Sequence, residues 1–342
     1  KRLDVSICDL NVGQLYILLH QLIKTLFSLI GLILLFLLGL FLSLLFFLLL
    51  HPAEALPAAR DGLTLWLNVM IPALLPFLIL TGILLKTGNI RKLLNPAAPL
   101  TKKLLGLSPA GTYVFLLGLL CGYPMGAKLA HDLYINQQIS RREGEYLLSF
   151  SCNASPAFIL SYLAGDCLKN RISGSRIMLL LLGADLICML FFRFIVYHGH
   201  TVSSVKSTDE KKETSGQDST GVILDVSIMN GFETITRLGG YILLFSLICA
   251  CVSYYWPLSS LTGILFTVPV ELTTGLHRIA LSPLAWKKQY YLSMMLTAFG
   301  GLCIMAQTES VLENRLSLIP YVTSKCLNTA VILLLLVLSD II

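Results

Sequence analysis

Two stretches place polar and helix-breaking residues inside otherwise apolar runs. Residues 119–134, LLCGYPMGAKLAHDLY, put Gly122, Pro124 and Gly126 where a spanning helix needs continuity, with Tyr123 between them and Lys128 one turn later. Residues 268–275, VPVELTTG, bring Glu271, Thr273, Thr274 and Gly275 to similar apparent depth. A helix broken in hydrocarbon leaves N–H and C=O groups that are costly unless protein, water or ligand satisfies them. The N-terminal end of a re-entering half-helix beside an ammonium suits an anionic group. A carboxylate with two hydroxyls suits a coupling proton, a cation or hydrogen bonds to a polar solute.

Each residue also has a plainer role open to it. Lys128 faces an anion, or it snorkels to the interface or pairs internally. Glu271 binds a proton, cation or solute, or it caps its own half-helix or pairs with Lys128. Two later interruptions, SFSCNASPAF (149–158) and TAFGGLCIMAQTES (297–310), add Asn153, Ser155 and Pro156 to the first set and Gly300, Gly301 and Gln307 to the second. Asn and Gln offer donors and acceptors to a ligand, while the glycines also serve close packing. His131 and Asp132 are expected at the aqueous end of the first hairpin.

Other chemistries fit poorly. The first stretch has three residues between its glycines and lacks a terminal Gly-Lys-Ser/Thr, so it is not a phosphate loop. No Ser/His/Asp or metal-ligand spacing rises above chance, and neither an enzyme nor a metal site is expected. The nine cysteines are scattered mostly through apolar runs, as buried fillers.

The composition states what must position these residues. Of 342 residues 56% are hydrophobic and 13% charged, against about 25% charged in a soluble domain. The chain reads as an all-α polytopic membrane protein surrounded by lipid, and no basic stripe suggests nucleic acid. Spans are expected at about 26–50, 63–85, 144–165, 176–198, 238–254, 289–311 and 322–342. The first reads as a retained span rather than a removed signal, and Pro72 and Pro76 kink the second. Residues 88–105 read as a surface segment, and 199–236 as a solvated linker.

Ala110–Cys121 reaches only about 18 Å, short of the roughly 30 Å hydrocarbon core, and Leu261–Val270 is also short. If both are re-entrant, seventeen cations fall on one side and seven on the other, a positive-inside bias with the richer side cytoplasmic. Full crossings would nearly erase that bias.

An offset of 149 residues aligns Gly126 with Gly275, Leu147 with Leu296, Phe150 with Phe299, Ala157 with Ala306 and Leu163 with Leu312. Span, short broken hairpin, interrupted span and further span occur twice in that order. An N-terminal segment (1–62) therefore precedes a first repeat (63–198), the linker (199–236) and a second repeat (237–342). Three true crossings per half make the second repeat inverted, each with a re-entrant hairpin and a discontinuous helix. This is the architecture of many secondary transporters, with a site near the midplane and a coupling proton or cation.

The segments GYPMGAKLAHDLY, ISRREGEYLLSFSCNASPAFIL, RLGGYILLFS, VELTTG and FGGLCIMAQ resemble the sporulation integral membrane protein YlbJ (SpoVV) family of the nucleoside-recognition (Gate) domain group, over about residues 60–335. The resemblance implies a fold similar to concentrative nucleoside transporters, and transport of dipicolinic acid across the outer forespore membrane during sporulation. It carries the family motif onto Gly122, Tyr123, Pro124, Gly126 and Lys128, onto Asn153, Ser155 and Pro156, and onto Glu271, Thr273, Thr274, Gly275, Gly300, Gly301 and Gln307. A nucleoside cargo, or a membrane scaffold or sensor that transports nothing, are the alternatives, and the chain is free to form a homo-oligomer.

Overall fold

In lipid only an element that satisfies its own backbone can cross, and the long apolar runs accordingly wind into helices. The computed structural model describes residues 38–87, 98–198, 220–255 and 267–341, and among them every regular element is helical. Four helices there are long and apolar enough to span: Gly174–Val196, Thr220–Tyr255, Trp286–Leu312 and Ile319–Ser339. The chain is an integral membrane protein.

The chain divides into two compact units at Leu56. The described part of the first holds α1 (Leu38–Leu50) and the start of α2 (Pro52–Leu65). In the second, α2 passes through a π-helical turn at Trp66–Met70 into α3 (Ile71–Lys86). Pro72 and Pro76 lack the N–H groups that would continue regular bonding, and the wider turn sits just ahead of them. Next come α4 (Ala98–Leu105), α5 (Pro109–Cys121), α6 (Met125–Ile135) and α7 (Arg141–Leu148), then α8 (Phe158–Cys167), π-helical throughout. Helix α9 is Gly174–Phe191, α10 Thr220–Tyr255, α11 Leu272–Leu281, α12 Trp286–Phe299, α13 Leu302–Leu312 and α14 Ile319–Ile341.

Helices α5 and α6 pack on each other as the first hairpin. At its base Ser108 caps α5 by accepting from the Gly111 N–H, while the buried Glu143 of α7 accepts from the Ser108 N–H at 2.7 Å. The descending helix α6 packs on α13, and α11 packs on α8. Each tip helix thus lies against the second half of the other interrupted span. The interrupted span Trp286–Leu312 is 56% buried over its most apolar window, whereas Gly174–Val196 and Ile319–Ser339 are 28% buried. The broken helix is therefore interior, and α9 and α14 turn residues such as Leu179, Leu186 and Leu334 outward, toward lipid.

Three expectations change. Residues 220–236 are not linker but the first half of the 36-residue α10, which packs along α3; their polar residues had masked a helical pattern. Lys325, one of the seventeen cations placed above on the cation-rich side, is buried inside α14. His131 is buried rather than at an aqueous end. The expected span before residue 38, and the stretches 88–97, 199–219 and 261–266, lie outside the described residues.

Candidate functional site

The first tip is Gly122–Pro124. Gly122 adopts φ +80°, a left-handed geometry that favours glycine, and a Cβ there would lie 2.7 Å from the Ser155 nitrogen. Gly118 and Gly126 likewise press against the Ser151 carbonyl oxygen. Glycines four residues apart thus let the hairpin backbone lie directly on the break after α7. Pro124 begins α6 without a side-chain cap; the turn itself uses the Met125 N–H, which donates to the Gly122 carbonyl at 3.0 Å, and the Lys128 N–H, which donates to the Pro124 carbonyl at 3.1 Å. In the break, Ser155 Oγ accepts from the Phe158 N–H at 3.2 Å and Asn153 Nδ2 donates to the Phe150 carbonyl at 2.9 Å.

The second tip is built differently. Glu271 is the N-cap of α11, its carboxylate accepting from the Thr273 N–H (3.1 Å), the Thr274 N–H (2.6 Å) and the Thr273 hydroxyl (2.6 Å). The carboxylate therefore occupies the positive end of α11 itself. The break after α12 places Gly300 at φ +88° and Gly301 at φ +89°, and the tip closes it: the Leu302 and Cys303 N–H groups donate to the Pro269 and Val270 carbonyls at 2.8 and 3.0 Å. The tip thereby satisfies donors freed by the interruption.

Between the tips lies a cavity of about 90 Å³. Gly122, Tyr123, Ser155, Glu271, Thr273 and Gln307 line it, with the aromatic rings of Phe158 and Tyr162 completing the wall. A larger vestibule of about 500 Å³ runs down α6 from Pro124 and Lys128 to Asn136. Lys86, Asp132, Glu233, Arg237 and Glu313 give it a mixed charge, and Gln307 and Leu238 line both spaces. The vestibule extends toward the base of the hairpin, the side read above as cation-rich.

Six of the sequence-derived residues thus converge on one cavity, while Pro124 and Lys128 face the vestibule. Lys128 Nζ lies 3.8 Å from Asp132 Oδ2, one turn away, rather than pairing with Glu271. Gly126, Thr274, Gly300 and Gly301 shape backbone rather than the cavity wall. Asn153 faces elsewhere: its Oδ1 accepts from Lys325 Nζ at 2.5 Å.

That lysine is the centre of a second polar group. Its ammonium lies 5.2 Å from the Tyr123 ring centre and 5.6 Å from that of Tyr321. Asn328 Nδ2 donates to Asp185 Oδ1 at 2.6 Å, and Asp185 is the acid whose charge acts on Lys325. Asn153, Asp185 and Asn328 line one small void of about 10 Å³. Tyr123 therefore has the cavity on one side and a buried ammonium on the other.

No family model matches the chain, and no solved structure matches it. Over 293 residues, 77% of this chain and 72% of the relative, it is 26% identical to the sporulation integral membrane protein YlbJ of Bacillus subtilis (strain 168). The chain is thus similar to this YlbJ protein over most of both lengths.

Asp185, Lys325, Asn328 and Tyr162 are the residues that the sequence analysis does not single out. The signal for three of them was present. Asp185 interrupts LLLGADLICML alone, and Lys325 and Asn328 sit three residues apart in a span, one face of a helix. Ionisable residues within spans rarely face lipid.

Proposed function

We propose that this protein is a secondary transporter of a small aromatic dicarboxylate, dipicolinate, carried across the outer forespore membrane during sporulation. The observation that carries the reading is the convergence of both tips and both interruptions on a single cavity that shares Gln307 and Leu238 with the neighbouring vestibule. A solute entering from the vestibule meets Lys128 in the first turn of α6, whose ammonium, with the positive end of that helix behind it, suits a carboxylate. Tyr123, Phe158 and Tyr162 offer apolar faces to a flat ring. The sporulation setting is supported by the likeness to the B. subtilis sporulation integral membrane protein YlbJ.

The cavity of about 90 Å³ is smaller than the roughly 300 Å³ at which ligand pockets begin. Transport therefore requires the tips to part from the helices carrying Ser155 and Gln307, with the Gly122 and Gly126 contacts as the sliding surface. The test is flux of dipicolinate into liposomes containing the purified protein. No flux in either direction under any imposed ion or proton gradient defeats the reading.

Glu271 favours a second cargo. Three of its roughly four acceptor sites are used within its own cap, leaving one for a substrate O–H or N–H, and its charge opposes an anion. A nucleoside hydrogen-bonded by Glu271 and Gln307 satisfies that geometry. Competition between uridine and dipicolinate for the purified protein separates the two.

A further inference from the structure

A lysine with 2% of its surface exposed is costly to bury unless its charge is answered. Its immediate neighbours are neutral: the Asn153 amide oxygen and two tyrosine rings. The acid beside this group is Asp185, at the middle of the span Gly174–Val196; it shares a small void with Asn153, which holds Lys325, and with Asn328, and it acts on the ammonium through space rather than in a direct ion pair. Among the described residues, Asp185 is held by Asn328 through Oδ1. The other oxygen has no hydrogen bond from this amide, and among the described residues the buried Asn328 Oδ1 has no hydrogen-bond partner. An Asn side chain donates to a carboxylate and, turned over, accepts from a carboxylic acid. The site is thus built to hold Asp185 with or without a proton.

The geometry points to Asp185, with Lys325 and Asn328, as a proton-binding site that couples proton uptake to the binding of an anion in the cavity beyond Tyr123. The inference rests on the anion-transport reading above. With Asp185 ionised, its charge offsets that of Lys325 through space, and of the cavity-lining residues only Glu271 carries a charge. A proton taken from water onto Asp185 leaves the ammonium uncompensated behind the Tyr123 ring, and the local field then favours an anion. By linkage, the anion equally favours the proton. Asn153 carries the same change to the break on which the first tip rests.

The other titratable groups facing the pair are Tyr321 on α14, Cys188 on α9, Cys152 in the break after α7 and Tyr123 at the tip. Helices α8 and α12 contribute Ile159, Thr297 and Ala298 to the adjoining void, none of which titrates. Phenols and thiols ordinarily titrate above neutrality, so a proton bound on mild acidification goes to the carboxylate.

Two measurements test this. In liposomes held at zero membrane potential, an inward proton gradient raises the dipicolinate accumulation ratio roughly tenfold per pH unit for one coupled proton. Asp185→Asn removes that dependence. Independently of transport, infrared difference spectra of the purified protein show a protonated-carboxyl band growing as pH falls from mildly alkaline to mildly acid; it is missing in Asp185→Asn and shifted in Asp185→Glu. Dipicolinate flux indifferent to the gradient overturns the coupling and leaves the transport reading standing. A wild-type spectrum with no titrating carboxyl that these substitutions alter overturns the proton site, whether or not the variants transport. If dipicolinate does not move at all while that band titrates normally, the transport reading fails and the proton site stands.

Discussion

Tyr123 Oη donates a 2.5 Å hydrogen bond to the Thr297 carbonyl oxygen, joining the tip of the first hairpin to the last turn of α12, 174 residues away. A second tyrosine does the same in the other direction: Tyr162 Oη, on α8, donates to the Thr273 carbonyl at 2.9 Å in the first turn of α11. The two phenols span the cavity they line. Any motion that separates tip from interruption must break one or both.

Tyr123→Phe keeps the ring that walls the cavity and lies near Lys325 but removes the donor. A single buried hydrogen bond contributes about 1 kcal/mol, with an additional cost when its partner is left unsatisfied. The expected outcome is a fall of about 1–2 kcal/mol in stability in detergent, read by thermal unfolding. Tyr123→Ala, which also opens the wall and uncovers Lys325, falls further.

The glycines of the first tip give a contrast. A Cβ at Gly126 meets the Ser151 carbonyl, a backbone atom that cannot swing aside, whereas one at Gly183 in α9 meets nothing within 4 Å. Gly126→Ala should destabilise by about 1–3 kcal/mol through overpacking and abolish transport. Gly183→Ala should be neutral or stabilise by up to about 1 kcal/mol by lowering chain entropy. Unfolding midpoints of the two variants, measured side by side, decide the matter.

Much of this site is written locally. Gly122, Pro124, Gly300 and Gly301 break helices by backbone chemistry alone, so both interruptions and the first tip were legible in the sequence. Glu271 followed by two threonines is likewise a cap that can be read residue by residue. What could not be read were pairings across more than a hundred residues: Lys325 with Asn153, Tyr162 with Thr273, and Asp185 with Asn328. A charge count assigns a lysine to a loop or a span but says nothing about which helix answers it. The start of α10 was missed for a related reason, since Asp225, Asn230, Glu233 and Arg237 look like linker until the helix that α10 packs along is known.

The buried pair makes a stability prediction. Lys325→Met removes the cation that acts on Asp185 and leaves the Asn153 amide oxygen without its donor, and an orphaned buried partner costs about 1–3 kcal/mol. Adding Asp185→Asn removes the orphaned charge, so the double variant should recover a large part of the loss. A double-mutant cycle on unfolding free energies tests this; strictly additive losses would show that the two residues do not interact.

Lys128 separates electrostatic attraction from structure. Its contact with Asp132 is 3.8 Å long, and the two side chains are 31% and 36% exposed, so the pair contributes little to stability, about 0–1 kcal/mol. Lys128→Ala should leave the unfolding midpoint nearly unchanged while raising the KM for dipicolinate several-fold, an effect that shrinks as salt screens the vestibule. An unaltered KM would make this lysine a solvated vestibule residue only.

Glu271 decides between cargoes. Glu271→Gln keeps an acceptor for the Thr273 and Thr274 N–H groups, so the cap weakens without vanishing; Glu271→Ala loses it and should cost about 0.5–2 kcal/mol. Binding responds in opposite senses for the two substrates. Removing a negative charge from the cavity wall should tighten dipicolinate binding several-fold, because the carboxylates no longer face Glu271. The same change should weaken uridine, because a charged acceptor makes the stronger hydrogen bond to a ribose hydroxyl. Titration calorimetry of both ligands on the wild type and on Glu271→Gln reads the two signs directly. Tighter dipicolinate with weaker uridine would identify Glu271 as a charge in contact with the solute, and two unchanged affinities would confine it to capping α11.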